Sequence, residues 1–171
     1  AIYDFLTIFN LNGWYRFMNL LLKFGYIENQ CSLKKTYDIY FAPDVIDYDD
    51  ERMWEMAEKH EIINLFQFMT TVGQQAIAKV KPRSLTQLGV ANAIMRLAGQ
   101  PGQESPLDTY VRYKNDINQW YDCMKSYNLT EDEIKIMEDH LLSVYGAASM
   151  QEEIMKLSMD KRITGYSMKD S

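Results

Sequence analysis

The sequence predicts a mainly α chain with a short β-strand edge at its N-terminus. Three observations carry this. Apolar residues recur at three- and four-residue intervals through most of the chain. Two such stretches open on a Ser or Thr followed three residues later by Gln or Glu, the signature of a capping box. Strand-like alternation is confined to "IYDFLTIF" at residues 2–9. With 171 residues, 47% of them apolar, the chain can build a real core.

The elements follow in order. After the strand, "NGWYRFMNLLLKFGY" places Trp14, Phe17, Leu21 and Phe24 at helical spacing, with Gly25 as a stop. "CSLKKTYDIYFAPDVIDY" reads as irregular or extended, with Pro43 excluding helix around it. "DDERMWEMAEKHEI" predicts a helix with acids at its N-terminus, where the helix dipole favours them. Its inward residues are expected to be Met53, Met56 and Ala57. "TTVGQQAIAKVK" is a helix closed by Pro82. "SLTQLGVANAIMRL" is another, opened by a Ser84/Gln87 box, with a stripe at Leu85, Leu88, Ala91 and Met95.

"AGQPGQE" is a loop. Ser105 and Pro106 begin the helical stretch "SPLDTYVRYKNDINQWYDCMKSY". Thr130 and Glu133 box the next helix, whose stripe is Ile134, Met137, Leu141 and Val144 and whose stop is Gly146. "SMQEEIMKLSMDKRI" predicts a last helix. Eleven methionines are spread through these stripes and fit core packing.

Composition narrows the function classes. The net charge is −6 and the pI about 4.9, which argues against a broad basic nucleic-acid face. The most apolar stretches, such as residues 18–22, are far too short to span a bilayer. The start lacks the basic region and cleavage site of a signal peptide. No membrane partner and a cytoplasmic setting are expected. The absent initiator Met and the abrupt "SMKDS" end suggest an excised piece of a longer protein. Cys31 and Cys123 lack C-x-x-C spacing and a nearby His set, so reduced thiols fit them better than a disulfide or zinc site; His60 and His140 are isolated, and surface or capping roles fit them better than metal ligation.

One window departs from the acidic average. Residues 62–103 contain no carboxylate, yet carry Lys79, Lys81, Arg83 and Arg96. Such a surface suits an anion.

The order of short motifs is then specific. "DFL" at Asp4–Leu6, the pair Asp49–Asp50, "FQ" at Phe66–Gln67, "KP" at Lys81–Pro82 and "NAIMR" ending at Arg96 precede "YGAASMQEEIM", with Tyr145, Gly146, Gln151, Glu152 and Met155. "GYSMKD" follows. In this order the chain resembles the C-family bacterial replicative DNA polymerases, the DNA polymerase III alpha subunit and its phage relatives. The resemblance covers residues 49–171 well, residues 1–10 plausibly and residues 11–48 poorly. Arg96 is not followed by the family's Pro-Gly turn, and "FMTTVGQQ" replaces a Glu-Ser-x-Gly-Met pattern. Two extra residues fall between Met155 and Tyr166. The departures suggest a divergent, phage-like member.

The resemblance implies a fragment of a DNA-directed DNA polymerase. Residues 1–10 would end a palm strand and 11–48 would be a divergent connection. Residues 49–103 would form the first fingers helices, and 104–171 the second. Two-metal nucleotidyl transfer in the parent would use Mg²⁺ held by three aspartates. Asp4 would be the third of these, a catalytic and metal-binding residue; its other reading is a turn or cap before "NLNG". No Asp-x-Asp strand accompanies it, so the piece is expected to be inactive alone. "DYDD" at 47–50 reads as a helix-capping cluster.

Fingers close over a deoxynucleoside triphosphate and primer–template DNA, with palm and thumb as neighbours. Arg96, Lys79, Lys81 and Arg83 would contact phosphate, with Gln67 and Thr70 adding neutral hydrogen bonds. The alternatives are solvated lysines and a carbonyl-capping Arg96. Phe66 fits the core better than base stacking. Arg112 and Lys114, among aromatics in "YVRYKND", could bind nucleic acid, although Tyr110, Tyr113 and Ile117 equally suit buried packing. Gln151 and Glu152 could contact substrate or fix a helix start. A non-catalytic helical interaction module is the competing reading.

Overall fold

The computed structural model describes residues 8–61, 65, 67–97, 99 and 101–167, with side chains from residue 12 onward. It resolves into two compact units, residues 1–47 and 48–171. No β-strand occurs among the described residues.

The first unit holds α1 (Ile8–Lys23) and α2 (Leu33–Tyr40). The expected strand at 2–9 is corrected at its end, because residues 8 and 9 form the first turn of α1; residues 2–7 lie outside the described residues. The expected α1 stripe is also corrected. Among its described side chains Met18 is the buried one, while Trp14, Phe17 and Phe24 are exposed. Trp14 and Phe17 instead meet Phe41 edge-on, with centroids 5.7 and 6.1 Å from it. Aromatic edges thus organise this small unit. Tyr26 N–H closes the helix end on the Leu21 carbonyl beyond Gly25.

Residues 33–40, expected to be irregular, are helical. Ser32 caps them by accepting from Lys35 N–H, and Lys34 pairs with Asp38 one turn on. Thr36, fully buried, donates its hydroxyl to the Ser32 carbonyl. Pro43 bars helix only near itself, and α2 ends at Tyr40.

The second unit runs through α3 (Glu51–Glu58), α4 (Thr71–Val80), α5 (Leu85–Ile94), α6 (Pro106–Asn115), α7 (Asn118–Ser126), α8 (Glu131–Leu141) and α9 (Gln151–Met159), with a 3-10 turn at Leu142–Val144. In α3 the buried residues are Trp54 and Ala57, whereas Met56 is exposed. The Trp54 indole N–H donates to the Tyr48 carbonyl at 2.9 Å, which makes the bulky ring suitable for burial. Ser84 caps α5 as expected, but the Gln87 side chain accepts from Arg83 N–H, one residue before the cap. The buried face of α5 is Val90, Ala91 and Ile94, and Leu85 is exposed.

The stretch expected as helical from Ser105 is two helices. Asp116, extended at φ −146°, breaks it and accepts from Asn118 N–H to start α7. Thr130 and Glu133 form the full capping box of α8. The core draws on α3 to α6 and α8: Ala57, Phe68, Ile77, Val90, Tyr110 and Leu141 are among its buried members. Helix α4 packs on α3, α5 and α6, which puts the acid-free window at the centre of the unit.

Candidate functional site

The window begins at the α4 N-terminus. Gln67 is left-handed, φ +66°, and its carbonyl accepts from the Thr70 hydroxyl. The same hydroxyl accepts from Gly73 N–H at 3.1 Å, so Thr70 is the α4 cap and both its hydrogen-bonding roles are used within the protein. Gly73 sits hard against this turn: a Cβ there would lie 2.5 Å from the Phe68 Cα. Phe66 and Asp4 lie outside the described residues.

Helix α4 ends at Lys81, left-handed at φ +46°, before the buried Pro82. Its last carbonyls are held by Lys114, whose ammonium donates to Val80 O at 2.6 Å and to Lys81 O at 3.0 Å. Burial, then the nearby Arg83 charge, pushes the Lys114 pKa below its ordinary value.

Acid-free in sequence, the window is not so in space. Asp108, on α6, pairs with Lys79 at 2.6 Å, and Lys79 holds the Asp108 carboxyl below its usual range. Glu58, the last residue of α3, accepts from Lys81 at 2.8 Å and Arg83 at 2.6 Å. These two hydrogen bonds lower its pKa to about 2. Arg112 pairs with Glu104 at 2.9 Å and lies over the Tyr113 ring, 4.6 Å from its centroid. Arg96 differs. It follows the α5 cap Met95, is exposed, and makes no ion pair among the described residues.

The structure also joins two motif segments that the sequence left apart. Ile94 and Leu97, flanking Arg96, line a cavity of about 250 Å³ with Tyr110, Tyr113, Gly146 and Ser149. Tyr110 is 1% exposed, and its hydroxyl has no partner among the described residues; nor has the buried Ser149 hydroxyl. Burial pushes the Tyr110 phenol up to about 12, so it remains a neutral donor. Only the helical spacing of Tyr110 and Tyr113 hinted at this lining. Gln151 and Glu152 are both exposed, and the start of α9 is held instead by Glu153, which accepts from Met150 N–H at 2.7 Å.

Asp50 caps α3 by accepting from Arg52 N–H, as its place in "DYDD" predicts. His60 is left-handed, φ +60°, and its N–H closes the end of α3 on Ala57 O. His140 lies 2.7 Å from Asp160. Among the described residues no group of three or more His, Cys, Asp or Glu converges to hold a metal ion. Those residues therefore do not fit the carboxylate set that a two-metal site needs.

Comparison with known proteins agrees with the motif order. The chain is 47% identical over 169 residues to the probable DNA polymerase YorL of Bacillus subtilis (strain 168), and equally to a DNA-directed DNA polymerase of Bacillus phage SPbeta. Each alignment covers 99% of this chain and 13% of the relative. The DNA polymerase III subunit alpha of Rickettsia prowazekii is 25% identical over 142 residues, 83% of this chain and 11% of that protein. The chain thus spans about an eighth of the curated relatives it matches. No solved structure matches significantly. The family described as the bacterial DNA polymerase III alpha subunit finger domain matches residues 26–171, and the chain belongs to that family.

Proposed function

We propose that this chain is the fingers part of a DNA-directed DNA polymerase, and that Arg96 contacts the phosphates of the incoming deoxynucleoside triphosphate. The observation that carries the assignment is the state of the cations. Lys79, Lys81, Arg83 and Arg112 face carboxylates, and Lys114 caps α4. Arg96 alone of these six has no such partner among the described residues. An exposed guanidinium just past the end of α5, beside a cavity walled by Tyr110 and Tyr113, suits a phosphorylated ligand with a flat portion.

In the parent, Mg²⁺ would activate the primer hydroxyl and neutralise phosphate charge. The reading assigns that centre to carboxylates of the wider polymerase, with Asp4 as the one this chain would contribute. The chain supplies binding of nucleotide and primer–template rather than the chemical step, so primer extension by the chain alone would refute this division of labour. Lys79 and Thr70 take supporting positions, since their side chains pair with Asp108 and cap α4; Gln67, which lends this turn its main-chain carbonyl, keeps its side-chain amide for a neutral hydrogen bond to the ligand.

Titration with a deoxynucleoside triphosphate, followed by amide NMR, tests the reading. Residues around Arg96 are expected to shift. Arg96→Ala should weaken binding about tenfold, the effect of losing one hydrogen bond to a charged group. Shifts confined to the opposite side of the second unit, with an unchanged affinity in Arg96→Ala, would remove the assignment.

A further inference from the structure

The cavity beside Arg96 has one charged group in its wall. Ile94, Leu97, Pro106 and Tyr113 make it largely apolar, and Glu104 and Thr109 line it as well. Helix α6 fixes the carboxylate. Glu104 precedes the cap residue Ser105, and its Oε2 accepts from the Thr109 hydroxyl at 2.9 Å and from Arg112 Nη2 at 2.9 Å and Nε at 3.1 Å. These donors come from successive turns of the helix, so the group is held in place before any ligand arrives. The Arg112 bonds, foremost, hold its carboxyl below the usual range. Among the described residues Oε1 takes only a longer contact from Arg112 Nε, at 3.3 Å. An ionised carboxylate has about four acceptor sites, so Oε1 keeps capacity for a further donor.

Arg112 does not belong to the lining. Its guanidinium lies over the Tyr113 ring and donates to Gln119 Oε1 at 3.2 Å. The pair therefore turns its negative member to the cavity. Arg96 sits on the segment that supplies Ile94 and Leu97 to the same wall. One cavity thus carries a carboxylate in its lining and a guanidinium on a bordering segment. Its volume, about 250 Å³, lies below the range of roughly 300–1,000 Å³ for sites that enclose a drug-sized ligand. It suits one ring system rather than a whole nucleotide. A phosphate inside would face a like charge in a partly desolvated place, whereas a ring with an N–H edge would find an acceptor.

We propose that Glu104 sets which end of a nucleotide enters this cavity: it accepts an N–H from the unpaired base and keeps the phosphates outside, at Arg96. All four bases carry an N–H on the pairing edge, the exocyclic amines of adenine, cytosine and guanine and the ring N3–H of thymine. A carboxylate serves each of them without choosing among them. The template uses the same edge, so the contact belongs to the nucleotide before pairing and is given up when a pair forms. A neutral amide in this position would accept the N–H but would not turn phosphate away; the charge does both. The inference rests on the nucleotide reading of Arg96 and adds the residue that orients the ligand.

Two nucleosides isolate the contact, titrated into the 171-residue chain and followed by amide NMR. Thymidine has the N–H and no phosphate; N3-methylthymidine lacks that N–H. Thymidine should shift the amides of residues 146–149, on the cavity wall, and bind about fivefold more tightly than its methylated form, the scale of a bond to a partly exposed charge. In Glu104→Gln the ratio should fall to about twofold, as for a neutral acceptor. A merely structural role would weaken both nucleosides alike and leave the ratio at its original value. Equal affinities in the unmodified chain, an unchanged ratio in Glu104→Gln, or no thymidine shift at 146–149 overturns the proposal. Inorganic tripolyphosphate is the third probe. It should leave the amides of 146–149 unmoved in the unmodified chain, and movement there would show that the carboxylate does not exclude phosphate, which also overturns it. Thymidine carries no phosphate, so a failure here is distinct from a failure of Arg96→Ala with the triphosphate.

Discussion

Lys114 does at the end of α4 what capping residues do elsewhere: it satisfies carbonyls that have no partner within the helix. It does so from another helix, α6, so one side chain both caps α4 and ties it to a neighbour. Replacement by methionine keeps the apolar stem and removes the two bonds. Lys114→Met should lose about 1–2 kcal/mol of stability, the lower part of the range for bonds to a charged group because the site is only half-buried. Urea denaturation at neutral pH measures this, and an unchanged midpoint would mean that the carbonyls are served by water. The sequence showed Lys114 as a cation among aromatics, but not its duty. Charges are legible in a sequence; partners are legible only when local. Asp50 and Thr130 could be assigned as caps because their bonds span two or three residues. The bonds from Lys79 to Asp108 and from Arg83 to Glu58 span 29 and 25 residues, and nothing short-range specifies them.

Helices show the same division. Their starts at Ser84, Ser105 and Thr130 follow from local hydrogen bonding, whereas their buried faces do not follow from periodicity alone. Helix α3 buries a tryptophan whose indole donates to the Tyr48 carbonyl six residues back, a contact that hydrophobic spacing does not encode. Helix α2 was obscured by Pro43, whose influence stops short of Tyr40. The turn between the 3-10 segment and α9 gives this scale its test. Gly146 is left-handed, φ +78°, and a Cβ there would lie 2.2 Å from the Trp120 ring on α7. Gly146→Ala should cost about 2–4 kcal/mol, combining backbone strain with overpacking. Part of the penalty should vanish when Trp120 is replaced by leucine. A double-mutant cycle resolves the two parts, and a zero coupling would show that the indole is not the obstacle.

At the level of the whole molecule, the main core is built entirely from residues after position 48. Residues 48–171 alone should therefore unfold cooperatively, with a helical circular-dichroism signal and a melting temperature within a few degrees of the second unit in the full chain. A truncated chain that stays unfolded would show that this core needs residues 1–47. Fold class and family were legible because motif order survives divergence. The candidate site was legible only as residue types, since its geometry depends on contacts between distant helices. Divergence itself meets two different barriers here. At Gly146 the obstacle is an exchangeable side chain, so a lineage that first trades Trp120 for something smaller lowers the cost of change at 146. At Gly73 the obstacle is the main chain at Phe68, which every amino acid shares. No substitution elsewhere opens that route, so position 73 should remain glycine in any lineage that keeps this turn.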